Sequence, residues 1–314
     1  MKRKIAASVL AAVMAVVFLC GCTNTEKDNR IKVVTTIFAP YDFTRQIAGD
    51  SANITMLLKP GGEAHSYEPS PKDIIAIRNC DLFICSGGEN DEWVMDILES
   101  VDNPNMRVIK MMDCVDLYEE ELVPGMETEH EEGETEDEEE WDEHVWTSPV
   151  NASIICNEIC RALVETDSAN KDLYEKNCAA YVAELNRLND EFADVIKNAP
   201  KDTVIFGDRF PLRYFVEAYG LKYYAAFPGC AQETEASAAT IAFLIEEARA
   251  LQIKVIFKIE LSNDSMASAI AKECGGEVRT FYSCHNVSRT DFENGETYVS
   301  LMERNVTTLK EALY

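Results

Sequence analysis

The stretch ANKDLYEKNCAAYVAELNRLNDEFADVIKN, residues 169–198, decides how the rest of the chain is read. Apolar side chains recur in it at Tyr174, Cys178, Tyr181, Leu185, Leu188, Phe192 and Val195, and the alternating steps of four and three put them on one helical face. Thirty residues at 1.5 Å each span roughly 45 Å, longer than one small lobe needs. The reading is a rigid backbone helix that joins two lobes.

On its N-terminal side, short apolar runs alternate with amphipathic segments. Strands are expected at 31–36, 54–58, 82–86 and 108–111, with helices near 40–47, 71–78 and 91–99. Ser148-Pro149 then opens a helix in the cap-then-proline arrangement, running to about Glu165. On the C-terminal side the rhythm returns, with strands at 203–206, 223–226, 255–259 and 278–282 and helices near 211–219, 236–251 and 265–273. A last helix carries Tyr298, Leu301, Met302, Leu309 and Leu313. Buried strands separated by helices indicate an α/β fold of two similar lobes, each a mainly parallel sheet flanked by helices. The expected division is 31–168 for the first lobe, including an acidic loop at 116–143, then 169–198 for the linking helix and 199–314 for the second lobe.

The chain begins with Lys2, Arg3 and Lys4, an apolar run from Ile5 to Leu19, and Leu19-Cys20-Gly21-Cys22. A basic start, a short apolar core and small residues read as an export signal over 1–21. The Leu-Cys-Gly-Cys ending resembles a bacterial lipobox, which makes Cys22 the lipidated residue and 22–30 a tether at the outer face of a membrane. Formal charge is −27; without the signal's three bases it becomes 26 basic against 56 acidic residues, or −30. Nucleic acid is excluded as a partner by that balance, and cations are favoured. Eleven cysteines in an exported chain suggest disulfides. However, the nine beyond Cys22 lack paired metal-type spacing, and Cys156 and Cys160 share an apolar stripe with Ala152, Ile155, Ile159 and Leu163, so small buried hydrophobes are the expectation.

From Glu127 to Glu143, twelve of seventeen residues are acidic and none is basic. Repulsion should leave that tract disordered, with the fold resuming at His144, and its surface could concentrate cations with help from His130. The chain has only four histidines, and the other three stand in ligand-like contexts: His65 after Pro60-Gly61-Gly62-Glu63-Ala64, His144 before Val145-Trp146-Thr147-Ser148-Pro149, and His285 in Ser283-Cys284-His285-Asn286. A loop histidine beyond a strand of an open sheet lies where ligands bind. Three neutral imidazoles from distant segments can make one metal site. If the last strand continues through 284 and 285, the two side chains face opposite ways; His285 is the preferred ligand and Cys284 the alternative.

These segments, with Ile31-Lys32-Val33-Val34-Thr35-Thr36 and Tyr219-Gly220-Leu221, resemble in their order the metal-binding lipoproteins of zinc and manganese ABC importers, the zinc-uptake solute-binding family (cluster A-I). The resemblance implies two α/β lobes bridged by a long helix, one metal in the cleft, an ABC transporter permease as partner, and a monomer. His65 and His144 match the family's first two ligands. The third, usually a histidine or glutamate after the first strand of the second lobe, falls on Gly207 in Phe206-Gly207-Asp208-Arg209-Phe210. His285 takes the place of the fourth, commonly an aspartate. Asp208 is the candidate to complete the set, against pairing with Arg209; water, Glu63 or Glu68 are the alternatives. Glu260 matches a family glutamate and is expected to orient a histidine from behind.

Three imidazoles with at most one carboxylate favour Zn2+, and Mn2+ follows if more carboxylates join. The chain has no nucleophile elbow, phosphate loop or His-Glu-x-x-His helix, so nothing argues for an enzyme. A metallohydrolase or a surface adhesin with a structural metal are the rival readings. With a rigid linking helix, release is expected to come from loops around His65 or His285.

Overall fold

The computed structural model describes residues 28–63, 67–88, 91–101, 103–126, 140–231 and 236–314. His65 and His130, the export signal and Cys22 lie outside the described residues. Residues Ile31–Tyr314 form one compact unit.

Two four-stranded, wholly parallel sheets make its frame. The first contains β1 (Ile31–Thr35), β2 (Ala52–Met56), β3 (Leu82–Cys85) and β4 (Arg107–Lys110), in the order β2-β1-β3-β4. The second contains β5 (Thr203–Phe210), β6 (Lys222–Pro228), β7 (Val255–Ile259) and β8 (Glu277–Phe281), in the order β6-β5-β7-β8. The two orders are the same, which is the structural content of the likeness seen in the sequence. In each sheet the chain reverses its direction of travel beside the first strand, and such switch points open a crevice at the carboxyl ends.

The helices of the first half are α1 (Phe38–Ala48), α2 (Pro71–Arg78), α3 (Glu92–Ser100) and α4 (Pro149–Thr166), the last capped by Ser148 with Pro149 in its first turn. The linking helix α5 covers Lys171–Lys197, about 40 Å at 1.5 Å per residue. It starts two residues later than the sequence suggested. A tight turn, Ser168–Asn170, precedes it, held by Asp167, whose carboxylate accepts from Asn170 at 2.7 Å and Tyr174 at 2.8 Å. Then follow α6 (Arg213–Tyr219), α7 (Ala238–Ala250), α8 (Ser265–Cys274), the short α9 (Arg289–Glu293) and α10 (Tyr298–Leu313).

The apolar face of α5 packs into a single buried cluster that takes in Val33, Leu82 and Ile84 of the first sheet and Val204, Phe206 and Phe257 of the second. Asp42 of α1 fastens three helices there. Its buried carboxylate accepts from Tyr181 of α5 at 3.0 Å and from the Tyr298 backbone of α10 at 2.7 Å. Six of the nine described cysteines are buried, as expected for small hydrophobes. Among the described residues no helix is long and apolar enough to cross a membrane.

Two expectations need correction. The fold resumes before His144: Trp141 bridges Glu119, Glu120 donates its N–H to Glu140 at 2.8 Å, and Asp142 donates to Tyr118 at 3.0 Å. Asp142 and Glu143 are each 1% exposed, because partners inside the fold satisfy their backbone: the Tyr214 hydroxyl donates to the Asp142 carbonyl and Ser86 to that of Glu143. Second, β5 runs on to Phe210 through a register shift between Phe206 and Arg209, so Gly207 and Asp208 lie inside the strand rather than after it.

Candidate metal centre

Both switch points lead to small cavities, and His285 borders each. The first, about 20 Å3, lies beyond β1 and β3 and is lined by Thr36, Tyr67, Ser86, Glu143 and His285. The second, about 30 Å3, lies beyond β5 and β7 and is lined by Glu63, Arg209, Glu260 and His285. Such volumes hold a water molecule or an ion, not an organic substrate.

His285 reaches this place because β8 stops at Phe281. The alternation argument therefore fails: Cys284 adopts a left-handed φ of 58° and turns into the apolar core, while His285 follows it out to the cavities. Burial drives the Cys284 thiol well up, which suits a core residue. The Glu260 carboxylate accepts from the Ser283 N–H at 2.7 Å and hydroxyl at 2.8 Å, and Ser283 Oγ accepts from the His285 N–H at 3.2 Å. Ser283 thus links the Glu260 carboxylate to the His285 backbone.

His144 precedes a short 3-10 turn, Val145–Thr147, and is fully buried. Its ring centroid stands 5.3 Å from that of His285 at an interplanar angle of 77°. The Trp146 indole is 5.4 Å from one imidazole and 5.1 Å from the other, and its Nε1 donates to the Ser283 carbonyl at 2.9 Å. Asp142 Oδ1 accepts from the His144 N–H at 2.8 Å and faces Nδ1 at 3.2 Å. A carboxylate on one ring nitrogen is the arrangement that orients a histidine to bind metal through the other. Burial would lower the imidazole, but the charges of Asp142, Glu143 and Glu120 outweigh it and raise the ring above the usual histidine value. Glu120 is itself pushed up, by burial first and then by Asp142.

The segment leading to His65 is stitched to the His285 loop. Asn286 donates to the carbonyls of Lys59 at 3.0 Å and Gly62 at 2.6 Å, and the Gly61 N–H donates to Val287 at 2.8 Å. Glu63 and Tyr67, which flank 64–66, line the two cavities that His285 borders.

The family described as Zinc-uptake complex component A, periplasmic (ZnuA), matches residues 33–312. The chain belongs to this family. It is 32% identical over 308 residues to the zinc-binding lipoprotein AdcA of Streptococcus pneumoniae serotype 4, covering 97% of this chain and 60% of that protein, so it spans less than two thirds of that relative's length. It is also 32% identical over 313 residues to the high-affinity zinc uptake system protein ZnuA of Bacillus subtilis strain 168, covering 97% of this chain and 96% of the relative. The crystal structure of the Zn(II)-bound ZnuA-like domain of S. pneumoniae AdcA superposes with a TM-score of 0.75 at 30% identity, over 91% of this chain and 99% of that one.

Within this ZnuA-family chain, the other sequence candidates are placed as follows. Asp208 is buried, and its oxygens accept from the Arg209 N–H at 2.8 Å, the Ile259 N–H at 2.9 Å and the Ser262 hydroxyl at 3.2 Å. Burial raises its carboxyl. The Arg209 guanidinium goes instead to Glu63 at 3.3 Å and to the Ala231 carbonyl at 3.3 Å. Gly207 is packed so closely that a Cβ there would meet the Ala267 backbone at 2.6 Å. Glu68 is exposed. The sequence reading missed Glu143 and Cys230, which group with His144, each offering a ligand atom, all within 4.8 Å of one another. Glu143 was hidden in the acidic tract and Cys230 among cysteines without paired spacing.

Proposed function

We propose that this protein captures zinc outside the cytoplasm and hands it to an ABC transporter permease, with the ion held by His65, His144 and His285. The observation that carries the reading is the meeting of two imidazoles from opposite halves of the chain, 5.3 Å apart, one of them oriented by Asp142. His65 is assigned as the third ligand because its flanking residues border the cavities lined by His285. Asp208 is assigned a structural role, since its oxygens hold the start of the loop after β7.

The zinc-binding and zinc-uptake names of the relatives support the cargo and the importer. Residues 1–21 are assigned as export signal, Cys22 as the lipidated anchor and 22–30 as tether, with lobes at 31–168 and 199–314 joined by 169–198. The chain is taken to work as a monomer and not as an enzyme, in keeping with relatives named for zinc binding and zinc uptake.

The test is zinc titration and elemental analysis of the full chain in mild detergent, beside His65→Ala, His144→Ala and His285→Ala, with a chelator chase to time release. One zinc per chain, lost in each variant and exchanged on the timescale of transport, is expected. An ion that stays bound through the chase would indicate a structural metal, and turnover of ester or peptide substrates would indicate a hydrolase.

A further inference from the structure

The ligand types gathered at this centre include a sulfur. Cys230 stands on the turn after β6, and its Sγ, a Glu143 carboxylate oxygen and a His144 ring nitrogen lie within 4.8 Å of one another, the one such cluster among the described residues. We propose that Cys230 binds the zinc as a thiolate, so that the centre mixes nitrogen and sulfur ligands. The proposal rests on the zinc-binding reading above and names a ligand that reading lacks.

Three observations support it. Zinc holds nitrogen at 2.0–2.1 Å and thiolate sulfur at about 2.3 Å, so adjacent ligand atoms of a tetrahedral site stand roughly 3.5 Å apart. The cluster therefore closes on an ion by a movement of about 1 Å. Next, the turn is built into place. Glu120 Oε1 accepts from the N–H groups of Gly229 at 2.8 Å and Cys230 at 3.3 Å, and Arg209 grips the following carbonyl at Ala231. Gly229 permits the approach, for a Cβ there would lie 3.1 Å from His144 Cε1. Finally, β5 has no room for a ligand at Gly207, where the Ala267 backbone is in the way, while β6 pairs with the end of β5 and delivers Cys230 two residues beyond Pro228. The ligand missing from one strand is supplied by its neighbour.

On binding, the Sγ–zinc bond forms, the S–H bond breaks and its proton goes to solvent; nothing is oxidised or reduced. A soft thiolate favours zinc over manganese, which prefers oxygen.

Cobalt(II) reports thiolate ligation directly, because sulfur adds a near-ultraviolet charge-transfer band to the visible d–d bands. In the full chain, cobalt should show both. Cys230→Ser should lose the charge-transfer band, weaken zinc binding by about tenfold or more, and narrow the preference for zinc over manganese. Cys230→His should restore affinity without the band. Equal melting of the apo variants shows that folding is not the cause. Wild-type d–d bands without charge transfer, or unchanged zinc affinity in Cys230→Ser, would overturn the thiolate while leaving the histidine site standing. If the wild-type chain binds neither cobalt nor zinc, the proposed function falls first and the thiolate with it.

Discussion

The guanidinium of Arg209 lies 3.3 Å from the carboxylate of Glu63, and the same side chain donates to the carbonyl of Ala231. One buried arginine thereby ties the segment that leads to His65 to the turn that carries Cys230. Arg209→Met should speed zinc release in a chelator chase and cost about 1–3 kcal/mol in urea unfolding, because the Ala231 carbonyl loses its charged donor. Glu63→Gln should cost no more than about 1 kcal/mol, since Glu63 is 52% exposed and water screens the pair.

The two facing imidazoles should both be required. His144→Gln and His285→Ala are expected to weaken zinc binding by about a hundredfold or more, beyond what a supporting residue costs. Competition against a chromogenic chelator measures this. Trp146 packs on both rings, so the change in its fluorescence on adding zinc should shrink in each variant.

Protons compete with the metal for His144. Because nearby carboxylates raise this ring, its proton is harder to displace, and zinc affinity should begin to fall at a higher pH than an ordinary histidine would give. Asp142→Asn removes the charge that holds the ring up while leaving an amide oxygen as acceptor. It should move the acid limb of the affinity–pH curve to lower pH while reducing affinity at neutral pH by about tenfold, as for other carboxylates behind ligating histidines. Titrations at stepped pH read both effects.

Asp208 should be a stability residue. Asp208→Ala strips acceptors from the Ile259 N–H and the Ser262 hydroxyl, and a buried donor left without its partner costs about 1–3 kcal/mol. Denaturation should show that loss while zinc affinity changes by less than about twofold. A collapse of affinity with unchanged stability would restore Asp208 to the ligand set.

Most of the frame was legible because it depends on local pattern. The stripe from Tyr174 to Phe192 places α5, and the apolar runs place all eight strands to within a few residues. What escaped depends on contacts between distant segments. The extension of β5 past Phe206 passes Gly207, where α8 packs in, and no feature near Gly207 announces Ala267. Trp141, Asp142 and Glu143 read as part of a repelling acidic run, yet residues 118–120 pair with this segment, and Asp142 and Glu143 are buried with Tyr214 and Ser86 on their carbonyls. His285 comes to the cavities by a route the strand pattern did not indicate: β8 ends at Phe281, and a left-handed Cys284 delivers the ring instead. Cys230 carried no local signal, since its partners Glu143 and His144 are more than eighty residues away.

One apolar interior serves both sheets. Prising them apart by enough to uncover roughly 400 Å2 of that interior would cost about 10 kcal/mol, comparable with the whole stability of a domain. An opening of that size is therefore strongly disfavoured. On the proposed role, a permease must tell the laden chain from the empty one by the local shape of its rim, where residues 59–63 and 285–287 are laced together.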